Sequence, residues 1–380
     1  MRIGVLAHSF ITWGGGREFL SSMLQALHGK NQTEKLETYL MIPENQQLPL
    51  EEISPTNEWI QKRNYNSNII KYQHSGTSDI IECLGRVKVD CVLPSMLPLG
   101  TDCPYPWVGY LYDFQHKYYP AWFSQQEIEA REAFFGQMLS QAKAIIVNSR
   151  AVKSDILRYY PGTSCRVFDL PFTPIPENSW FDEGSDLSEQ YNIPEDYFAI
   201  CNQFWIHKDH GTAFEALAIL KQTYHINTAI VCTGTMCDYR WPDYSTRLTK
   251  IIEDRGLQQN IYILGHIPKP DQLQIIRKAI AVIQPTLFEG GPGGGSTREA
   301  IALGTPVILS DIAVNKEIDD STAIFFETGS ALDLAKKMEQ IFRQKRRKRP
   351  NQSFLITRGT FCAEIKADRL MEAVSYVREG

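Results

Sequence analysis

The chain has 380 residues, of which 43% are hydrophobic and 22% are charged. This length is too great for one ordinary hydrophobic core and predicts two domains of globular composition. The net charge of −5 and the pI near 6.0 argue against a dedicated nucleic-acid binder, which would usually carry a basic surplus.

The eight cysteines are scattered and form no CxxC pair, which suits a reducing cytosol and gives no metal-site spacing. The N-terminal run MRIGVLAHSF is strand-like and lacks the apolar region of a signal peptide. Because no stretch of about 18 apolar residues occurs, we expect no transmembrane helix. These features predict a cytoplasmic protein and leave open a peripheral contact with the inner face of a membrane.

The first half of the chain alternates short apolar runs with segments of helical period. Met1–His8 predicts a strand, residues 14–16 a glycine loop, and residues 17–28 a helix. Three further strands are predicted at 89–94, 107–111 and 144–148. Strands separated by helices imply right-handed crossovers, so residues 1–172 are expected to form a Rossmann-like domain with a parallel sheet.

Residues 171–197 contain four prolines and many acidic residues, which predicts an interdomain linker at 173–197 rather than a packed element. A cleaner alternation follows and predicts a second Rossmann-like domain at 198–362. Its strands are expected at 198–202, 228–232, 261–264, 281–284, 306–310 and 323–326, and its helices at 212–221, 246–255, 272–278 and 332–342. Ser330 is the expected N-cap of the last of these helices. The final segment, 363–380, is expected to form a helix that packs back toward the first domain.

The run Arg343–Arg349 (RQKRRKR) is the strongest block of like charge. It is compatible with a solvated helix end, where cations favour the helix dipole. It is also compatible with contact to anionic lipid or to a polyanionic acceptor. The sequence leaves both interpretations open.

The segment Glu289–Ala300 (EGGPGGGSTREA) follows a buried apolar run and precedes a helical one. Glycines at such a junction let backbone N–H groups approach a ligand, and the helix N-terminus adds a positive dipole end. The segment therefore predicts a cradle for a diphosphate. A structural turn is the alternative, and Ser296 with Glu299 also fits a capping box.

The longer stretch PTLFEGGPGGGSTREAIALGTPVILSD resembles the donor-site segment of retaining, GT-B-fold glycosyltransferases of family 4. Seven residues separate the two glutamates of that family, whereas nine separate Glu289 from Glu299. The loop of this chain is thus two residues longer and richer in glycine. The resemblance implies that Glu289 contacts the donor sugar and that Glu299 contacts the nucleotide ribose.

The stretch CNQFWIHKDHGTAFEAL, residues 201–217, resembles the part of the same family that reaches the donor diphosphate. Gln203 stands where the family usually has arginine, and Lys208 stands at the lysine position. A lysine neutralises a diphosphate as a point charge, whereas glutamine can only donate a hydrogen bond. His207 and His210 flank Lys208 and are expected to be structural or surface residues rather than catalytic ones.

The stretch WVGYLYDFQHKYYPAWFS, residues 107–124, resembles a strand-end segment of the first domain of these enzymes. Many relatives carry a histidine near the reacting sugar where this chain has Tyr112. We therefore expect Asp113 and His116 to take the catalytic role, with a core position as the alternative for His116.

Three weaker features complete the resemblance. Gly15, Gly16 and Arg17 are expected in a loop that faces the interdomain cleft, where Arg17 meets a phosphate or only the surface. The loops that contain Gly234 and Ile267 are expected to line the pocket of the nucleotide base.

The resemblance implies an α/β chain of GT-B fold, with two Rossmann-like domains whose parallel sheets face an interdomain cleft. Its expected activity is retaining transfer of a sugar from a UDP- or GDP-sugar to an acceptor hydroxyl of a glycan, a lipid-linked compound or a small molecule. No cofactor or nucleic-acid partner is expected. No metal is expected either, since no DxD-type motif ends a strand. The expected catalytic residues are Glu289, Asp113, His116 and Lys208. The expected donor-binding residues are Gln203, Lys208, Gly234, Ile267, Gly291, Gly293, Gly294, Gly295, Ser296, Thr297 and Glu299.

Two other functions remain open from the sequence. One is a sugar-nucleotide epimerase, and the other is a catalytically silent partner subunit that binds a sugar nucleotide. The sequence gives neither the base and sugar of the donor, nor the acceptor, nor the oligomeric state.

Overall fold

The computed structural model describes residues 1–31, 35–44, 67–73, 76–182, 187–344 and 349–379. The chain divides into two compact units. Unit 1 comprises Met1–Thr173 and Thr360–Gly380, and unit 2 comprises Pro174–Gly359. Each unit is built on one parallel β-sheet, so the prediction of two parallel-sheet α/β domains is confirmed.

Unit 1 contains a seven-stranded sheet of order β3-β2-β1-β4-β5-β6-β7 in which neighbouring strands are parallel. Its strands are β1 (Arg2–Leu6), β2 (Glu37–Pro43), β3 (Ser67–Tyr72), β4 (Cys91–Ser95), β5 (Trp107–Tyr110), β6 (Ala144–Val147) and β7 (Arg166–Asp169). Its helices are α1 (His8–Ile11), α2 (Gly14–Asn31), α3 (Thr77–Val87), α4 (Gln115–Tyr118), α5 (Gln125–Gln141) and α6 (Arg150–Tyr159), with a 3₁₀ turn at Pro120–Trp122.

The central strands of this sheet are covered on both faces. On β1, Val5 belongs to one apolar cluster and its neighbour Leu6 to another. Successive side chains of a strand point to opposite faces, so helices pack on both sides of the sheet. This explains why the central strands read as continuous apolar runs.

The predicted glycine loop at 14–16 is instead the first turn of α2. The indole of Trp13 donates to the Ser9 carbonyl oxygen at 3.0 Å, and a Cβ on Gly15 would lie 2.5 Å from its ring. Arg17 Nη1 donates to the Ile11 carbonyl oxygen at 2.9 Å. The glycines therefore give the Trp13 ring room against the helix start, and this packing outweighs their low helix propensity.

Unit 2 contains a six-stranded parallel sheet of order β10-β9-β8-β11-β12-β13, with all six predicted strands present. The strands are β8 (Tyr197–Cys201), β9 (Ala229–Thr233), β10 (Ile261–Ile263), β11 (Val282–Gln284), β12 (Val307–Ser310) and β13 (Ala323–Phe326). The helices are α7 (Leu187–Tyr191), α8 (His210–Thr223), α9 (Tyr244–Asp254), α10 (Lys269–Lys278), α11 (Gly294–Ala302) and α12 (Ala331–Arg343), with 3₁₀ turns at Asn178–Phe181, Ile206–Lys208 and Asn315–Glu317. Ser330 caps α12 as predicted, since its side chain accepts from Asp333 N–H.

Residues 173–197, predicted as a linker without packed elements, differ from that expectation. The segment forms the 3₁₀ turn at Asn178–Phe181 and the helix α7, and Trp180 is buried. Arg277 of α10 donates to the Phe181 carbonyl oxygen at 2.7 Å. Apolar side chains between the prolines thus fasten the segment to unit 2.

The last helix, α13 (Gln352–Glu379), is longer than predicted. Leu370, Ala373 and Val374 lie in an apolar cluster of unit 1. Lys366 Nζ donates to Ser22 Oγ at 2.8 Å and joins the helix to α2. The C-terminal part of α13 is therefore part of the core of unit 1.

The basic run Arg343–Arg349 lies partly outside the described residues, because 345–348 are not among them. Arg349 donates to the Ala279 carbonyl oxygen at 2.5 Å and to Thr305 Oγ1 at 3.2 Å. Its guanidinium therefore satisfies groups inside unit 2. Across the described parts of the chain, no helix has the length and apolar character needed to span a membrane.

Candidate functional site

The glycine-rich loop after β11 leads into α11 through left-handed backbone. Gly293, the N-cap, has φ 63°, and Gly294 has φ 67°. A Cβ on Gly293 would lie 2.5 Å from the side chain of Thr297. Both the backbone conformation and the space at Gly293 therefore require glycine.

Asn315 holds this loop in place, and the sequence did not single it out. Gly293 N–H donates to Asn315 Oδ1 at 2.8 Å. Asn315 Nδ2 in turn donates to the Ser310 carbonyl oxygen at 2.9 Å. Asn315 is fully buried. The loop is thus fixed to the end of β12 before any ligand binds.

The N-terminal end of α11 presents two buried hydroxyl groups. Ser296 and Thr297 are buried, and neither hydroxyl has a hydrogen-bond partner among the described residues. Buried polar groups normally have a partner, and a helix N-terminus favours an anion. The arrangement fits an anionic ligand that would accept from both hydroxyls.

The capping box predicted between Ser296 and Glu299 is not formed. The helix begins three residues earlier than that motif requires, with Gly293 as N-cap and no side-chain cap hydrogen bond. The left-handed glycines let the chain turn into the helix before Ser296. Ser296 consequently lies within the first turn.

Lys208 and Glu289 are brought together at the same edge of the sheet. Lys208 Nζ donates to Glu289 Oε1, and both side chains are largely buried. Gln284 Nε2 donates to the same oxygen at 2.9 Å, and Asn202 Nδ2 donates to Gln284 Oε1 at 2.6 Å. Lys208 and Gln284 therefore orient the Glu289 carboxylate directly, and Asn202 positions Gln284.

The turn that carries Lys208 is tied to the loop that carries Glu289. Leu287 N–H and Thr286 Oγ1 donate to the His207 carbonyl oxygen at 2.7 and 3.0 Å. Asp209 has φ 47° and caps α8 by accepting from Thr212 N–H at 3.4 Å, and it also accepts from Thr212 Oγ1 at 2.6 Å. These contacts give both loops one fixed geometry.

The two histidines beside Lys208 are buried, so neither is the surface residue that the sequence also allowed. The imidazole of His210 stacks on Phe204 with ring centroids 4.0 Å apart. Burial lowers the pKa of His210 to about 3. Burial, followed by the charges of Lys208 and Arg240, holds the pKa of His207 well below its usual range. Both rings are therefore neutral at physiological pH.

Glu299 lies deeper in unit 2, with only 1% of its side chain exposed. It pairs with Lys269 at the start of α10. Lys269 Nζ also donates to Gln272 Oε1 at 3.1 Å, and Gln272 Nε2 donates to Thr233 Oγ1 at 3.0 Å. Glu299 thus belongs to a polar network at the ends of neighbouring strands, which sequence reasoning missed.

The remaining expected donor residues lie around the loop after β9. Gln203 Oε1 accepts from Thr235 N–H at 2.9 Å, so this side chain positions the loop. Gly234 has φ 112°, and its N–H donates to the Gly265 carbonyl oxygen at 2.8 Å. Ile267 is buried next to that turn.

In unit 1, Asp113 and His116 follow β5 and share one arginine. Arg131 of α5 donates to Asp113 Oδ1 at 2.5 Å and to His116 Nδ1 at 3.1 Å. The His116 Nε2 atom lies 2.6 Å from Glu132 Oε1. Because arginine only donates, Nδ1 is the acceptor and Nε2 carries the proton.

The structure places His116 in a core position, the alternative that the sequence left open for it. The side chain is buried, both ring nitrogens are engaged, and burial lowers its pKa. The ring thus links Arg131 to Glu132, and its catalytic role stays a prediction. Asp113 keeps a quarter of its side chain exposed.

Arg131 also explains the tyrosine at position 112. Its guanidinium lies 4.9 Å from the centroid of the Tyr112 ring, within cation–π range. No sequence pattern marks Arg131, and only its contacts in the structure indicate its importance. Of the expected cleft loop, Gly15, Gly16 and Arg17 lie in the first turn of α2.

Within the described residues, no group of three or more His, Cys, Asp or Glu side chains is placed to hold a metal ion. All eight cysteines, which lie in that part of the chain, are free thiols. Metal independence remains a prediction.

The sequence is similar to a glycosyltransferase family model and to two curated glycosyltransferases. Residues 186–353 match the family model "Glycosyl transferases group 1". The chain is 25% identical over 245 residues to the O-antigen chain mannosyltransferase RfbU of Salmonella typhimurium, a match covering 63% of this chain and 61% of that protein. It is 26% identical over 137 residues to the capsular polysaccharide biosynthesis glycosyltransferase CapH of Staphylococcus aureus, covering 36% of each.

The chain thus matches less than two thirds of the length of each of these curated relatives. The family match and both relatives support a glycosyltransferase.

Solved structures confirm the GT-B fold. A glycosyltransferase from Rickettsia africae superposes with a TM-score of 0.62 at 15% identity, covering 100% of this chain and 96% of that one. Anabaena HepE, solved with UDP and glucose, gives 0.64 at 14% identity, covering 100% and 97%. At such identity the likeness shows the fold alone.

Proposed function

We propose that this chain is a retaining glycosyltransferase that moves a sugar from a nucleoside diphosphate sugar to an acceptor hydroxyl. The observation that carries the proposal is the Lys208–Glu289 pair at the start of α11. A Cβ on Gly294, the first residue of that helix, would lie 3.7 Å from Glu289 Oε1. A cation, a carboxylate and an anion-binding helix end therefore meet at one place.

In the proposed reaction, the bond between the anomeric carbon and the diphosphate oxygen breaks, and the electron pair leaves with the diphosphate. Lys208, the N–H groups of α11 and the Ser296 and Thr297 hydroxyls stabilise the charge that develops there. The donors of α11 are fixed before the reaction, so they need little reorganisation.

Glu289 is proposed to accept hydrogen bonds from hydroxyls of the donor sugar, which fixes the sugar above the leaving group. The acceptor oxygen attacks from the face that the diphosphate leaves, and its proton passes to a phosphate oxygen. The anomeric configuration is therefore retained, and no metal ion is required.

The nucleoside is proposed to lie over the ends of β8, β9 and β10. Glu299 contacts the ribose together with Lys269, whose ammonium lies against its carboxylate. The backbone near Gly234 and Ile267 lines the base pocket. UDP or GDP is the proposed nucleotide.

The acceptor is proposed to be a growing polysaccharide or its lipid-linked oligosaccharide. The support is that the two curated relatives are named for an O-antigen chain and a capsular polysaccharide. In unit 1, Asp113 is the proposed contact for an acceptor hydroxyl, since Arg131 holds one of its oxygens and part of the side chain is exposed.

Thermal-shift assays with UDP-, GDP-, ADP- and TDP-sugars test the donor, because specific binding stabilises the folded state. The stabilising sugar nucleotide is then incubated with the chain alone. Release of the nucleoside diphosphate by slow hydrolysis supports a transferase. Conversion into an isomeric sugar nucleotide would instead indicate an epimerase, and binding without turnover would indicate a silent partner subunit.

A further inference from the structure

The loop after β9, residues 234–241, is fastened to the turn that carries Lys208. Phe204 N–H donates to the Thr235 carbonyl oxygen at 3.2 Å, and Thr235 N–H donates to Gln203 Oε1 at 2.9 Å. Ile206 N–H donates to Asp238 Oδ2 at 2.8 Å. The two loops therefore form one rigid surface at the edge of the sheet.

Asp238 also positions Arg240. Its Oδ1 atom accepts from Arg240 N–H at 3.0 Å, and the aspartate is buried. The Arg240 guanidinium lies 5.7 Å from the centroid of the Trp205 ring and 5.4 Å from that of Tyr239. The N–H donors of a guanidinium lie in its plane, whereas a cation–π contact uses its face. Such a contact is therefore compatible with N–H donation to the oxygens of a carboxylate or a phosphate.

Aromatic contacts connect Arg240 to the turn that carries Lys208. The rings of Trp205 and His207 have centroids 5.4 Å apart. Trp205 thus lies against both the Arg240 guanidinium and the residue that precedes Lys208. After burial, the charges of Lys208 and of Arg240 are the next causes that lower the pKa of His207. The two cations consequently lie on neighbouring parts of one surface.

The charge of the proposed ligand calls for such a second cation. A nucleoside diphosphate carries more than one negative charge at neutral pH, whereas Lys208 supplies one positive charge and is paired with Glu289. Gln203, on the same turn, brings no charge and is used to hold Thr235. Arginine is the side chain best suited to phosphate oxygens, through paired N–H donors.

We infer that Arg240 is a second cation of the donor site and binds the phosphate groups of the nucleoside diphosphate. The inference rests on the proposed function and adds a residue to its site. Arg240 comes from a different loop than Lys208, so the diphosphate bridges the ends of β8 and β9.

Isothermal titration with UDP, GDP, ADP and TDP tests this inference, using the one that binds the wild-type chain most tightly. Arg240→Met is expected to raise the Kd of that nucleotide about 10- to 100-fold, as for a lost charge-assisted contact. Arg240→Lys, which keeps the charge, is expected to stay within about fivefold of wild type. The Kd of the matching nucleoside, which has no phosphate, should change by less than about twofold in both variants.

Arg255→Met is the matched control, because it also removes one arginine. This residue follows the C-terminal end of α9 and pairs with Glu215 at 2.8 Å. Its variant should bind the nucleotide as wild type does.

An unchanged nucleotide Kd in Arg240→Met would overturn the inference and leave the proposed function intact. Equal weakening of nucleotide and nucleoside would also overturn it, because a purely structural role has that effect. If the wild-type chain binds none of the four nucleotides, the proposed function fails and the role of Arg240 fails with it.

Discussion

Lys208 and Glu289 are 81 residues apart in sequence, yet the lysine ammonium donates directly to the glutamate carboxylate. The contact joins the turn after β8 to the loop after β11, and 13% and 11% of the two side chains are exposed. In this state the two charges neutralise each other. The diphosphate of a bound sugar nucleotide can attract Lys208 away from Glu289. The Glu289 carboxylate can then accept hydrogen bonds from the sugar hydroxyls.

Replacing Lys208 by alanine should lower sugar transfer by at least about 100-fold, because the developing charge loses a preorganised partner. Steady-state rates of nucleoside diphosphate release measure the effect. Lys221→Ala is the control, since Lys221 Nζ donates to Asn260 Oδ1 at 2.9 Å from the opposite end of α8. Near-normal turnover of a folded Lys208→Ala chain would contradict the assignment.

Removing the partner of Glu299 should destabilise the fold. Lys269→Met leaves a carboxylate that is 1% exposed without its cation. We expect a loss of about 2 kcal/mol in the free energy of unfolding, less than for a fully buried pair because a third of Lys269 is exposed. Urea unfolding measures it, and the double variant Lys269→Met/Glu299→Gln should recover most of the loss.

The exposed pair of Lys316 and Asp311, 3.1 Å apart, provides the comparison. Lys316→Met should cost less than about 1 kcal/mol, as is usual for a surface ion pair. If Lys269→Met proves no more damaging than Lys316→Met, the buried pair does not matter for stability.

Gly293 and Gly329 form a matched test of the glycine loop. Both have positive φ, 63° and 77°, but only at Gly293 would a Cβ meet another side chain. Gly329→Ala should cost about 1 kcal/mol through backbone strain alone, whereas Gly293→Ala should cost about 2 kcal/mol or more. Only Gly293→Ala should also weaken nucleotide binding. Equal effects of the two variants on stability and binding would argue against a shaped cradle.

Acid should destabilise the fold through His210. Its folded pKa, about 3, is below the unfolded value near 6.5, so the unfolded chain takes up the proton first. Stability is therefore lost as the pH falls from about 6.5 toward 3, by about 2 kcal/mol between pH 7 and pH 5. Asp209, whose pKa burial raises to about 6, has the opposite sign in this range.

His210→Phe isolates the contribution of His210 to the pH dependence of stability. The variant keeps a ring against Phe204, and Asp209 is present in both chains. Urea unfolding at pH 7 and pH 5 should show a shallower pH dependence for the variant, by about 2 kcal/mol. Parallel losses in the two chains would mean that His210 is protonated in the folded state.

The strands of unit 2 could be predicted because parallel strands buried on both faces are continuous apolar runs. All five residues of β8, Tyr197–Cys201, are buried, and its predicted range was displaced by one residue. The start of α2 could not be predicted in this way. Glycine favours a loop by its own propensity, and only the packing of Trp13 reverses that preference.

The same distinction applies to the candidate site. Glu289 and Lys208 stand out in sequence through motifs, and the structure brings them together. Lys269 and Arg131 occur in ordinary helical patterns that do not distinguish them. Their roles depend on contacts with partners that are 30 and 18 residues away in sequence. The burial of His116 likewise depends on α5, so the local pattern DFQH could not show that its ring nitrogens are occupied.

The most direct test of sugar transfer at Glu289 is a proton NMR time course of the wild-type chain with its stabilising nucleotide sugar, compared with Glu289→Gln. Glu339→Gln is the control, a carboxylate paired with Arg343 on α12. We predict that wild type and control release a sugar whose first-formed anomer has the donor's configuration, and that Glu289→Gln does so at least about 100-fold more slowly. Release of the inverted anomer, or equal rates with and without the Glu289 carboxylate, would contradict the account.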